Sequence, residues 1–459
     1  MTQANALGLM LDGGNVFLTG PPGSGKSYVI EQFVSIMKNR SKTVVLTATT
    51  GIAASLFSGV TIHSWMGLGV GDMSQKQLLG DILNNHILIQ RFRSVDILII
   101  DEISMLDGES LDLINLILKK ARSSELVFGG IQVIFAGDFF QLPPVSKEKI
   151  NYAFNSRSWS ELSFKICYLT VQHRQINDQL YQILSAMREG RLERVHLQAL
   201  MARQGLEHKD ITRLMTHNKE VDEINSQRLS LIKDKEHCYP MVLSGRKLEA
   251  NRLASMVLAP QFLKLKVGAA VMFVANNFSQ GFVNGTQGHV VAFRGGKPIV
   301  ELEKSKTKIK VQEYTWKYTL NREVIAEISQ LPLRLAWAIT IHKSQGMSLD
   351  EADIDLSRSF AYGMGYVALS RLKSYQGLYL RGLNSRSLQL DKRIYEFDDK
   401  LRRASDLLVP SRLVNNYFKG LGELKALINS GVSQEFIKIS LGLSTKQLKT
   451  YLRMLKPNE

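Results

Sequence analysis

The sequence predicts an α/β protein with two lobes built on parallel sheets, a small β-barrel inserted in the second, and a small helical C-terminal module. Three observations carry this. Short apolar, β-branched runs that end in polar loops alternate with helix-patterned stretches through both lobes. A block at 259–327 breaks the alternation, with strand-like segments (VGAAVMFVAN, HVVAF, PIVELE, KIKVQEYTW) separated by Asn-Gly and Gly-Gly turns. Beyond about residue 403 the strand signals stop and helix patterns take over.

The first lobe begins with NVFLT, a short buried strand at 15–19, followed by Gly20-Pro21-Pro22-Gly23-Ser24-Gly25-Lys26-Ser27 and a helix-patterned stretch over 28–38. Strand, glycine turn and helix N-terminus in that order make a phosphate-binding loop. Gly20, Gly23 and Gly25 let backbone N–H groups, with Ser24, close on phosphate oxygens, and the helix adds its positive end. Lys26 is placed for the β and γ phosphates and the Ser27 hydroxyl for Mg²⁺. Gln3, upstream of the loop, offers the donor and acceptor that match an adenine edge. The pattern points to ATP and Mg²⁺.

The strands that follow end in polar residues, and in open α/β sheets that edge is where ligands bind. TVVLTATT at 43–50 offers Thr47, Thr49 and Thr50 to a nucleic-acid backbone. His63 and Trp65 follow, as base-stacking candidates or as core. The apolar run at 97–100 ends in Asp101, a Mg²⁺ ligand candidate, and Glu102, a candidate to polarise the attacking water. QVIFA at 132–136 leads to Gln141, placed to sense the γ phosphate, and then to two prolines.

The second lobe has no phosphate loop. Strands are expected at 165–171, 212–216 and 336–341, forming a second parallel sheet that completes the first lobe's site. Arg174 and Arg371 are the candidates to meet phosphate from the facing lobe, since a guanidinium fork stabilises developing charge there. Thr340, His342, Lys343, Ser344 and Gln345 are candidates to grip a strand of nucleic acid. The tail carries three helical stretches, at 421–428, 433–441 and 445–455, whose helix-turn-helix spacing suits a DNA-binding module and a plain three-helix docking domain equally.

Composition sets limits. The chain has 459 residues, is 44% apolar, and carries a net charge of +16, which fits several folded domains and a polyanionic partner. Cys167 and Cys238 make neither a disulfide framework nor a metal-ligand spacing, as expected of a reducing compartment. No apolar run reaches membrane-spanning length, and a signal-peptide pattern is absent from the first residues.

Long motifs then align in order. TATTGIAASLFSGVTIHSW, DEISML and FGGIQVIFAGDFFQLPPV, followed by LTVQHRQ at 169–175, LPLRLAWAITIHKSQGMSLD at 331–350 and YVALSR ending at Arg371, resemble the Pif1 family of RecD-like, superfamily 1B DNA helicases. The resemblance implies a first RecA-like lobe at 1–62 and 93–160 with a wedge-like insertion at 63–92. It implies a second RecA-like lobe at 161–258 and 328–402, an SH3-like barrel at 259–327, and a helical tail at 403–459. It further implies ATP-driven 5′-to-3′ translocation on single-stranded DNA and unwinding of forks, duplex or G-quadruplex DNA in replication, repair or recombination. The Gly346 position would join the nucleotide site, while Asn276 and Asn284 would touch DNA. A monomer is expected, with a DNA-induced dimer as the alternative, in the cytoplasm of a prokaryote or the nucleus of a eukaryote. One departure stands out: Met364 follows Gly363 where the family usually has Gln.

Overall fold

The computed structural model describes residues 1–56, 60–68, 75–144, 150–170, 178–206, 211–277, 280–282, 284–303, 305–320 and 323–408. The expected tail helices and Arg174 therefore lie outside the described residues.

The first lobe is a parallel sheet of six strands: β1 (Val16–Thr19), β2 (Val44–Ala48), β3 (Val60–Thr61), β4 (Ile97–Asp101), β5 (Gln132–Ala136) and β6 (Lys165–Tyr168). Their spatial order is β3-β2-β4-β5-β1-β6. The central strands read as unbroken apolar runs because helices cover both faces; β1 and β4 are buried at every residue. The helix Lys26–Asn39 follows β1 and lays Val29, Ile30, Phe33, Ile36 and Met37 against the sheet. That is the stripe its helical spacing predicts.

β6 corrects the expected boundary. The sequence places KICYLTV in the second lobe, but Lys165–Tyr168 pairs in parallel with β1 and closes the first sheet. Which sheet edge a strand joins is settled by the completed fold, and a short apolar run carries no mark of that choice.

β7 (Arg213–Met215) opens the second parallel sheet. The chain then leaves it for β8 (His237–Pro240), β9 (Val242–Gly245), β10 (Phe262–Leu265), β11 (Ala270–Phe273), β12 (Gln287–Arg294), β13 (Lys297–Leu302), β14 (Lys308–Lys310), β15 (Tyr314–Leu320), β16 (Glu323–Gln330) and β17 (Leu333–Leu335). It returns for β18 (Ala338–Thr340), β19 (Ala352–Leu356) and β20 (Leu378–Leu383), giving the parallel order β18-β7-β19-β20. Within the excursion, β14-β13-β12-β11-β17 form an antiparallel sheet over Val271, Phe273, Phe282, Val290 and Val300. A second antiparallel sheet, β15-β16-β9, and the pair β10-β8 flank it, so strands on both sides of 259–327 belong to the same excursion.

The helix Lys392–Leu407 runs across the expected boundary at 403 and returns to the first lobe. Phe397 stacks on Phe154 with ring centroids 4.1 Å apart, and Ser405 accepts from the Tyr168 amide. Among the described residues no helix is long and apolar enough to cross a membrane.

Candidate nucleotide site and nucleic-acid interface

The phosphate loop leaves β1 at Gly20, whose φ of 143° and close approach to the Leu169 carbonyl, 2.6 Å from where a Cβ would stand, both require glycine. Gly25, in the left-handed region, begins the helix Lys26–Asn39. A Cβ there would lie 1.9 Å from Nε2 of Gln3, which donates to the Ser24 carbonyl at 3.0 Å. Gln3 is thus seated on the loop. Lys26 Nζ donates to the carbonyls of Gly20 (2.7 Å) and Pro21 (3.2 Å), so its stem arches back over the loop. Burial pulls the Lys26 ammonium down from its ordinary range, while the charges of Asp138 and Glu102 hold it up. The Ser24 hydroxyl is buried without a partner, and Ser27 is exposed at the start of the helix.

Asp101 ends β4, and its Oδ1 accepts from the Glu102 amide at 2.8 Å. Burial and the neighbouring Glu102 charge push the Asp101 carboxyl up to about 7. Glu102 has φ 54° and ψ 40°, a left-handed conformation that costs a β-carbon residue on the order of 1 kcal/mol. Its carboxylate Oε2 is buried without a hydrogen-bond partner. Burial raises the Glu102 carboxyl; Lys26, Arg371 and a hydrogen bond to Gln345 oppose that rise.

The second lobe contributes from two places. Arg371 is buried, with Nε donating to the Val367 carbonyl at 3.0 Å and Nη2 to Ser370 Oγ at 2.7 Å, and its charge reaches Glu102. Gln345 Nε2 lies 3.4 Å from Oε1 of Gln141. Gln345 had been expected on the nucleic-acid side; it stands instead beside Gln141 and Glu102 at the lobe junction. Ser344, also expected to grip DNA, is fully buried and donates to the Ile341 carbonyl. Gly363 marks how closely the lobes meet, since a Cβ there would stand 2.6 Å from the Gln141 carbonyl oxygen. It begins the helix Met364–Ser370, which leads into Arg371. Met364 is buried in the core, and its sulfur accepts from the Ala361 amide at 3.4 Å. Gly346, with φ 78°, is exposed just beyond Gln345.

The residues expected to touch nucleic acid divide. Thr47 is buried, and its hydroxyl bonds the Ile99 carbonyl at 2.8 Å, a link between strands; Thr49 bonds the Glu102 carbonyl at 2.8 Å. Both serve the sheet edge that holds the strained Glu102. Thr50 caps the next helix by accepting from the Ala53 amide. Trp65 is 5% exposed and packs edge-on against Phe92 at 5.2 Å, so it is a core residue and its ring is no stacking platform. His63 is half-buried, and burial lowers its imidazole pKa. Thr340 is buried and accepts from the Lys343 amide.

Surface remains at His342, which lies parallel to Phe360 (centroids 6.1 Å, 15°), with His217 on the same ring at 5.2 Å. Phe360 is 57% exposed, and this aromatic face escaped sequence reasoning because Phe360 and His217 stand far apart in the chain. Asn276 and Asn284 are joined, Asn276 Oδ1 accepting from the Asn284 amide at 2.8 Å. Both line a cavity of about 750 Å³ between the first lobe and the excursion, with Arg91, Arg246, Arg252 and Trp316 on its walls.

The site as a whole joins a phosphate loop, two carboxylates and a second-lobe arginine across a cleft. Residues 4–195 match the PIF1-like helicase family and residues 250–293 the DNA helicase Pif1, 2B domain family. A Pif1 ATP-dependent DNA helicase from Psychrobacter sp. is 39% identical, over 85% of this chain and 69% of that one. This chain belongs to the Pif1 helicase family. The crystal structure of Pif1 helicase from Candida albicans has 32% identity, covers 87% of this chain and 98% of that one, and gives a TM-score of 0.72. Bacteroides Pif1 in complex with ADP-AlF3 and single-stranded DNA has 31% identity over 87% of this chain and 95% of that one, with a TM-score of 0.62. The chain spans 62–69% of the length of the Psychrobacter and vertebrate Pif1 relatives.

Proposed function

We propose that this chain is an ATP-dependent DNA helicase that moves 5′-to-3′ along single-stranded DNA and unwinds duplex or G-quadruplex DNA. The observation that carries this reading is the meeting of Lys26, Glu102, Gln141, Gln345 and Arg371 at the junction of two parallel sheets. A site assembled from both lobes changes when the lobes move, and so hydrolysis becomes displacement.

Lys26 and the loop amides hold the β and γ phosphates, taking phosphate oxygens in place of the Gly20 and Pro21 carbonyls. Glu102 orients and deprotonates water, and Arg371 meets the charge that develops on the transferring phosphoryl group. Mg²⁺ fits this donor set: an exposed Ser27 hydroxyl and the Asp101 carboxyl, which with its neighbour Glu102 is raised, so that a cation relieves their repulsion. The ion would neutralise phosphate charge, and its remaining ligands would be water and phosphate. Arg174 is proposed as a second phosphate contact, and Gln3 as the adenine reader through the acceptor side of its amide.

The cavity of about 750 Å³, with arginines, Asn276, Asn284 and Trp316 on its walls, has the basic and aromatic character a single strand needs. The face made by His342, Phe360 and Lys343 supplies a second grip on the other lobe. The antiparallel sheets of 237–335 are read as an SH3-like barrel that closes over the strand, and the helices of 63–92 as its counterpart on the first lobe.

Strand separation with ATP and Mg²⁺ on partial duplexes bearing either a 5′ or a 3′ tail tests this. Unwinding of the 5′-tailed duplex alone, lost in Glu102→Gln, is expected. Unwinding from the 3′ tail alone would overturn the polarity, and DNA-stimulated ATP hydrolysis without unwinding would leave a translocase.

A further inference from the structure

Arg188 is the last residue of the helix Gln179–Arg188 and is 5% exposed. Nothing in its sequence surroundings singles it out. Its Nη1 bonds both oxygens of Asp138 at 2.7 Å, and its Nη2 bonds Asp398 at 3.0 Å. Tyr168 Oη accepts from Nε at 3.0 Å, Tyr366 Oη from Nη1 at 3.2 Å, and the Phe140 ring lies 4.5 Å beneath the guanidinium. Arg402 completes the chain of charges on the far side of Asp398, at 2.7 Å. Asp138 is 0% exposed, and the Phe140 amide also donates to its Oδ1 at 3.2 Å, so a buried carboxyl is met by the fork and by its own turn.

The partners come from separate bodies. Asp138 and Phe140 follow β5, Tyr168 ends β6, Asp398 and Arg402 sit on the helix Lys392–Leu407, and Tyr366 sits on the helix Met364–Ser370. That last helix leads into Arg371, which faces Glu102. Asp138, with Glu102 and Asp101, is also among the acidic groups whose charge opposes the lowering of the Lys26 ammonium by burial. One guanidinium therefore ties Asp138, beyond the end of β5 in the first lobe, to the helix that carries the arginine of the facing lobe.

We propose that Arg188 is a positioning residue for ATP hydrolysis: through Asp138 and Tyr366 it sets Arg371 against the phosphate loop, without touching nucleotide itself. Arginine is required because a lysine keeps the charge but cannot address Asp138, Asp398 and two phenols from one plane. Buried ion networks are weak stabilisers relative to apolar packing, which directs attention to alignment rather than stability.

This inference rests on the proposed ATPase reading of the site, and wild-type turnover separates the two: no DNA-stimulated ATP hydrolysis by wild type would sink that reading before any variant is compared. The experiment measures steady-state ATP hydrolysis at saturating single-stranded DNA, fluorescent ADP binding and thermal melting for Arg188→Lys, Tyr366→Phe and the double variant. In Arg188→Lys, kcat should fall ~10- to 100-fold while KM for ATP and ADP affinity move less than ~3-fold. In Tyr366→Phe, which removes one hydroxyl and keeps the ring, kcat should fall ~3- to 10-fold. The double variant should be no slower than Arg188→Lys, since both act through one linkage. Turnover within ~2-fold of wild type in a melting-competent Arg188→Lys would overturn the proposal. So would effects that multiply in the double variant, or a Tyr366→Phe that melts lower with kcat unchanged. Should Arg188→Lys fail to fold, Tyr366→Phe decides alone by its kcat.

Discussion

The two parallel sheets invite comparison. Among the described residues the first has six strands, and its carboxyl edge carries most of the candidate groups: the loop at Gly20–Ser27 after β1, Asp101 and Glu102 after β4, and Asp138 and Gln141 after β5. The second has four strands and no phosphate loop. Its proposed contributions to the nucleotide, Gln345 and Arg371, come from a turn after β18 and from the end of the helix Met364–Ser370. The first sheet binds; the second completes. On the proposed reading that asymmetry suits a motor rather than a static binding site, since groups supplied by a second lobe meet phosphate only when the lobes are in register.

The largest effect should come from the binding sheet. Lys26→Ala is expected to cut ATP turnover by ~10³-fold or more while single-stranded DNA affinity, read by fluorescence anisotropy, stays within ~3-fold. Loss of DNA binding together with a lowered melting temperature would show that the loop supports folding as well as phosphate.

Next comes the completing sheet. Arg371→Ala should lower kcat by ~10²- to 10³-fold with ADP affinity nearly unchanged, because its guanidinium acts on charge that develops only in the transition state. A matching rise in KM with kcat preserved would instead make Arg371 a ground-state anchor, and the division between the sheets would collapse.

The nucleic-acid side gives a smaller contrast. Phe360→Ala should weaken single-stranded DNA binding by ~5- to 50-fold, as expected for loss of one stacking platform. Trp65→Leu should leave the DNA affinity of the folded fraction unchanged and lower stability by ~2–4 kcal/mol, because its ring fills core against Phe92. The reverse pattern, measured by anisotropy and denaturant melts, would return Trp65 to the strand's path.

The smallest effect is electrostatic. Because the Asp101 carboxyl is pushed up to about 7, the folded chain holds a proton that the unfolded chain, with the ordinary value near 4, has released. Stability therefore falls as pH rises through that window. In nucleotide-free, metal-free buffer, Asp101→Asn should raise Tm by ~1–3 °C at pH 8 and have little effect at pH 5. An equal shift at both pH values would remove ionisation as the cause.

Sequence alone determined the elements whose information is local. A phosphate loop is a run of eight residues with fixed glycines; Asp101 and Glu102 sit together after an apolar strand; turns at Asn284-Gly285 and Gly295-Gly296 mark an antiparallel excursion. Each is set by backbone sterics and nearest-neighbour hydrogen bonding, which short patterns encode. The tertiary structure decided what depends on partners far along the chain. It placed β6 in the first sheet, folded Trp65 into the core, and turned Gln345 toward Gln141 while leaving Phe360 exposed beside His342. It also gathered Asp138, Arg188, Tyr366 and Asp398 around one buried charge. An apolar strand does not encode its sheet, nor an arginine its partner, because edge pairing and charge compensation are settled by what the completed fold brings within a few ångströms.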